Sequence, residues 1–153
     1  MKAIIHTAVL CLAVAIASPA LAIDTTAAQP SPAVQAFESY DLVRAALAAD
    51  NLADATPHAK VLADRAEAAG GVEAKKAAKA LAEAKNIEDA RKSFGELSTI
   101  LVPIFQAEAI PGTTAYMCPM KQKPWVQRGD KMANPYYGKA MLTCGTVLPA
   151  KGK

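Results

Sequence analysis

Residues 86–108, NIEDARKSFGELSTILVPIFQAE, decide the fold. Ile87, Ala90, Phe94, Leu97, Leu101, Ile104 and Phe105 recur at three- and four-residue steps, which is one apolar stripe of an α-helix. Asn86 stands where an N-cap is wanted, and Asp89 three residues later completes a weak capping-box pattern. Pro103 is expected to kink or shorten the last turn. A stripe of this width has to be covered, so the flanking sequence is read for partners.

Upstream, Phe37, Tyr40, Val43 and Leu47 fall on one side of a helical wheel. Ala55, Ala59, Leu62, Ala66 and Ala69 form a second stripe whose small side chains imply close helix packing. Asp50 or the Thr56-Pro57 pair starts that helix, and Gly70-Gly71 stops it. A third, Ala-rich segment from Val72 to Lys85 presents Ala74, Ala77, Ala78 and Leu81. Three or four amphipathic helices with short connections can bury their stripes only against one another. The predicted class is therefore mainly α: a small up-and-down helical bundle with a short C-terminal β or irregular segment. Burial accounts for every stripe, so the body reads as a scaffold and not as a cofactor box.

The first residues bear on where the protein works. Met1-Lys2 precedes an apolar run from Ala8 to Ala17, then Ser18-Pro19 and Ala20-Leu21-Ala22, the pattern of a secretory signal peptide cleaved after Ala22. The run is shorter than the ~20 apolar residues of a membrane-spanning helix. The expected division is 1–22 signal peptide, 23–32 disordered linker, 33–148 a single helical domain and 149–153 a tail. Cys11 leaves with the signal, and the mature chain is expected in the periplasm or secreted, without a membrane span. Residues 23–115 carry 9 Lys/Arg and 13 Asp/Glu, whereas residues 116–153 carry 7 and 1. An acidic body thus meets a basic tail, either as two attracting parts of one fold or as a surface for an acidic partner. The near-balanced total gives no argument for nucleic acid as a partner.

Beyond Pro111-Gly112 the helical period ends. Thr113, Thr114 and Tyr116 read as extended, as do residues 141–148, with a polar, turn-rich loop between them. Pairing of the two strands would bring Cys118 and Cys144 close. The sulfur-bearing elements are Tyr116-Met117-Cys118-Pro119-Met120 and Asn134-Pro135-Tyr136-Tyr137-Gly138-Lys139-Ala140-Met141-Leu142-Thr143-Cys144-Gly145, with Trp125 between them. Following Ala90-Arg91-Lys92-Ser93-Phe94 and Leu97-Ser98, these motifs resemble an uncharacterised bacterial periplasmic domain family, domain of unknown function 3347, over residues 33–148. Members of that family look like stand-alone exported proteins or occur at the C-terminus of copper/silver efflux membrane-fusion proteins. The resemblance implies heavy-metal handling, with a heavy-metal efflux component as partner.

The residues point the same way by their own chemistry. Thiolate and thioether sulfurs prefer polarisable ions such as Cu(I) or Ag(I), and Cys118 with Met120, and Met141 with Cys144, would supply a four-sulfur donor set. In an extended segment Cys118 and Met120 share a side, whereas Met141 and Cys144 need a turn between them. The competing account is a Cys118–Cys144 disulfide that closes the tail of a structural or protein-interaction domain. In that account Met117, Met120 and Met141 fill gaps in packing. Met132 is peripheral in its polar loop, Trp125 anchors the loop on the bundle, and Tyr136 and Tyr137 pack. His58, the only histidine after cleavage, lies off its helix's stripe and reads as solvated or edge-packed. Without a Ser/His/Asp constellation, a phosphate-cradling glycine loop or Cys-x-x-Cys-His, neither an enzyme nor a haem protein is expected. The expected function is soft-metal binding, as a carrier or an accessory to efflux.

Overall fold

The computed structural model describes residues 29–149. The expected signal peptide, the first part of the linker and residues 150–153 of the tail lie outside the described residues. Helix α1 (Pro32–Ala48) starts where the linker was expected to end, because Ser31 caps it: its Oγ accepts the Val34 N–H, and Pro32 occupies a position where a missing N–H costs nothing. Helix α2 (Leu52–Ala82) is capped by Asn51, whose side chain accepts the Asp54 N–H. Pro57 therefore lies inside α2 and not at its start. The second and third segments of the sequence reading form one run, interrupted where Gly71 takes a non-helical φ of 78° and ψ of −172°. Gly70 beside it is bare for a packing reason. A Cβ there would stand 2.8 Å from Leu101 Cδ2, so the glycine lets α2 approach its neighbour.

That neighbour is α3 (Ile87–Glu108), capped by Asn86, which accepts the Asp89 N–H at 2.9 Å. Pro103 does not shorten α3. It stands on the exposed face, where water can take the carbonyl that a proline leaves without a donor, and the helix runs on to Glu108. The three helices pack on one another as a bundle. Its centre is aromatic: Phe105 meets Phe37 edge-on at 5.4 Å, and Tyr40 stacks on Phe94 at 4.8 Å. The Tyr40 hydroxyl shares a 2.7 Å hydrogen bond with Ser98, so this buried polar atom is satisfied, and burial raises its pKa well above the ordinary tyrosine value. Among the described residues no helix is long and apolar enough to cross a membrane.

After α3 the chain makes strand β1 (Thr113–Cys118), strand β2 (Lys123–Arg128), a 3-10 turn at Gly138–Met141, and strand β3 (Thr146–Val147). The sheet is antiparallel in the order β2-β1-β3. Pairing of β1 with β3 is the contact expected from the sequence; β2 was not expected, and Met141 ends a 3-10 turn where a strand had been read. The sheet lies against α3 and α1, leaving α2 and its half-buried His58 on another side of the bundle. A chain of rings carries the bundle core into the sheet. Phe94 meets Tyr136 at 5.9 Å, Tyr136 meets Trp125 at 6.1 Å, and Trp125 stacks on Tyr116 at 5.1 Å.

Candidate functional site

The C-terminal segment is held together by the side-chain amide of Asn134, which is fully buried. Its Nδ2 donates to Cys118 Sγ at 3.3 Å and to the Cys144 carbonyl at 2.6 Å, while its Oδ1 accepts the Tyr136 N–H at 2.8 Å. The Asn134 N–H in turn donates to the Leu142 carbonyl at 2.8 Å. One residue thus joins the end of β1 to the approach to β3. In the sequence Asn134-Pro135 reads only as a turn; the amide's partners lie 16 and 10 residues away and leave no local signal.

A second amide does the same for β2. Gln127 Oε1 accepts from Trp125 Nε1 and from the Ala133 N–H, both at 3.0 Å, and Gln127 Nε2 donates to the Lys131 carbonyl at 2.6 Å. Trp125 is fully buried, as its reading as an anchor required. Its ring lies so close to Gly145 that a Cβ there would stand 2.5 Å from Trp125 Cη2.

The four sulfurs picked out by spacing lie in two settings. Cys118 is buried and Cys144 half-buried, both are free thiols, and Asn134 brings their two segments together. Met120 and Met141 carry exposed side chains, although the Met141 carbonyl accepts the Cys144 N–H at 3.1 Å. β1 ends at Cys118, so strand alternation does not reach Met120, which is 63% exposed in the turn before β2; Met141, at the end of the 3-10 turn, is 36% exposed. Met132, peripheral in the sequence reading, is packed partly into the core.

Residues 36–111 match the family described as "Protein of unknown function (DUF3347)". The chain belongs to this family. The match runs from α1 to just past the end of α3, so membership rests on the helical body, and the sulfur-bearing segment of this DUF3347 protein lies beyond the matched residues. No curated protein and no solved structure matches the chain.

The DUF3347 body grips the segment through Arg91, a charged residue of α3 that is only 8% exposed. Its guanidinium donates to the carbonyls of Pro135 (3.0 Å) and Leu47 (3.1 Å), to Glu88 (3.0 Å) and to Asp50 (2.5 Å). Asp50 makes the α1–α2 corner at φ 60° and also accepts the Lys139 N–H. Gly138 has to be glycine here. Its φ is 55°, and a Cβ would overlap both the Asp50 carboxylate and the Arg91 guanidinium. In the sequence Arg91 stands out only as part of the Ala90-Arg91-Lys92-Ser93-Phe94 pattern; the fold shows the α1–α2 corner and the C-terminal segment converging on it.

The Arg91 hydrogen bond, followed by that from Lys139, holds the Asp50 carboxyl below its ordinary pKa of 3.8. A depressed folded-state pKa contributes stability that is present above the ordinary value and lost as pH falls through the folded one. Asp50→Asn, which tolerates the left-handed backbone, is therefore expected to be less stable than the parent at pH 7. The gap should narrow once pH drops below 3.8. Urea midpoints of both proteins at pH 7 and at acid pH check this; a gap that stays constant would mean the carboxylate charge is not what holds the corner.

The acidic body and basic tail do meet. Arg128 pairs with Glu38 of α1 and lies over the Phe37 ring at 5.2 Å. Beside the Arg91 corner, α3 and the turn before β2 border an open cleft of about 230 Å³ lined by Lys92, Gly95, Lys121, Lys123 and Tyr136 among others. Lys123 donates to Thr99 at 3.4 Å and Lys121 lies over Tyr137 at 5.2 Å.

Proposed function

We propose that the protein binds Cu(I) or Ag(I) through Cys118 and Cys144, as a periplasmic carrier or an accessory to heavy-metal efflux. The observation that supports this reading best is the meeting of two free thiol-bearing segments at the Asn134 amide. The donor chemistry fits the ion: two thiols that give up their protons on ligation, in a segment that also carries thioethers, form a soft set suited to a polarisable monovalent ion. The sequence nominates Met120 and Met141 to complete it. Metal is cargo in this reading, and the helical body, whose core is closed by its own side chains, is the frame that carries the site.

The same convergence favours a second reading, in which exchange with another disulfide oxidises Cys118 and Cys144 to a staple and the basic tail serves as an interaction surface. Anaerobic titration against a competing Cu(I) chelator, with free thiols counted in parallel, separates the two. Reduced protein is expected to hold Cu(I) or Ag(I) and to discriminate strongly against Zn(II), to lose this affinity on oxidation and to regain it on reduction. Protein isolated without free thiol or copper, whose reduced form does not compete for Cu(I), would leave the stapled interaction domain in its place.

A further inference from the structure

We propose that Met132 is the thioether donor of the sulfur site, an inference that rests on the soft-metal reading above. The register pairs Tyr116 with Val147 and Met117 with Thr146. Continued one position beyond β3, the same register places Gly145, the neighbour of Cys144, across from Cys118. Residues directly opposite in an antiparallel pair project to the same face of the sheet. On that face the Met132 Sδ lies 3.0 Å from the point where a Gly145 Cβ would stand. Cys118 across the strand pair, Cys144 next along the chain and the Met132 sulfur thus adjoin Gly145, whose missing side chain admits the Trp125 ring; Cys144 stands in the irregular approach to β3, where strand alternation does not set its direction.

Met132 is also the methionine whose position is prepared. Gln127 holds both of its neighbours, accepting the Ala133 N–H and donating to the Lys131 carbonyl, and Gln127 is itself buried. Asn134, bonded to the Cys118 sulfur, follows two residues later. A donor held by buried hydrogen bonds loses little freedom on binding. Met120 would have to surrender a solvent-exposed side chain and turn back past Pro119, and Met141, although its carbonyl accepts the Cys144 N–H at 3.1 Å, carries an exposed side chain at the end of the 3-10 turn. Two thiolates and one neutral thioether then give Cu(I) three soft donors, with the proton of each thiol released to solvent.

The test uses the reduced, full mature chain and Cu(I) itself. Met132→Leu keeps the side-chain volume and removes only the sulfur. It is expected to leave the urea midpoint near that of the parent, and to weaken Cu(I) in chelator competition by at least the roughly tenfold that loss of a supporting contact costs a metal site. Met120→Leu and Met141→Leu should bind as the parent does. Copper-edge X-ray absorption of selenomethionine-labelled, Cu(I)-loaded protein reads the ligand directly and not through affinity, on variants whose urea midpoints match the parent. A selenium neighbour is expected in the parent and in the Met120→Leu and Met141→Leu variants, and is expected to be missing in Met132→Leu. Tight binding without a selenium neighbour, or a selenium neighbour lost only in Met120→Leu or Met141→Leu, overturns the assignment while leaving metal binding by the cysteines standing. Failure of the parent itself to compete for Cu(I) overturns the proposed function and this inference with it.

Discussion

Replacing Cys118 and Cys144 together by serine is expected to lower Cu(I) affinity by well over the roughly 100-fold that loss of an outer-shell partner costs a metal site. The hydroxyl is a harder donor than a thiolate and stays protonated at neutral pH, so the soft ion loses both anionic ligands at once. The fold should survive the change. Serine at 118 still presents an oxygen to the Asn134 side-chain N–H, so the buried amide keeps an acceptor, and although Cys118 lies in the buried core where the sheet meets the bundle, helices α1 to α3 contain neither cysteine. Chelator competition measures the affinity, and far-ultraviolet circular dichroism measures the helix. A double variant that folds and binds Cu(I) as tightly as the parent would remove the cysteines from the site.

The largest loss of stability is expected from Trp125→Ala, about 3–5 kcal/mol on the scale of other buried aromatic truncations. Trp125 is fully buried between Tyr116 and Tyr136 and closes over Gly145. Its removal leaves a cavity at the junction of sheet and bundle and takes one donor from Gln127. Against the roughly 5–15 kcal/mol that holds a typical domain together, such a cost is a large fraction. Urea unfolding followed by circular dichroism gives the number. A loss below about 1 kcal/mol would mean that the site had collapsed around the gap and that the sheet is anchored elsewhere.

The helices were legible because their information is periodic. The stripe from Ile87 to Phe105, the Asn86 cap and the Gly70-Gly71 interruption all appear in the structure at the positions read from the sequence, and the pairing of β1 with β3 follows from two short extended segments. Strand β2 was not legible. Lys123-Pro124-Trp125-Val126-Gln127-Arg128 has a proline and no polar–apolar alternation, which suits the edge position it occupies in the sheet. Asn51 was passed over as a cap because Asp50 and Thr56-Pro57 flank it with competing start signals, and Asp50 serves the corner instead. The site was legible only in its cysteines. Asn134, Gln127 and Arg91 act through buried hydrogen bonds to distant segments, and Met132 is disguised by Asp130 and Lys131 beside it. Side-chain amides that organise a loop have no period, so composition reports a turn and nothing more.

The Arg91 corner also sets an order of assembly. Its bonds to Asp50 and Pro135 join residues 41 and 44 positions apart, and the second of them exists only after the chain has passed through β1 and β2 and returned over α3. The pairs α1–α2 and α2–α3 are joined by short connections and can close first, whereas the Pro135 bond waits on the C-terminal segment having folded back over α3. Interactions that form after the rate-limiting step act on the way out: losing them speeds unfolding and scarcely slows folding. Loss of the Arg91 bond to Pro135 is thereby expected to shorten the life of the folded state more than it delays its formation.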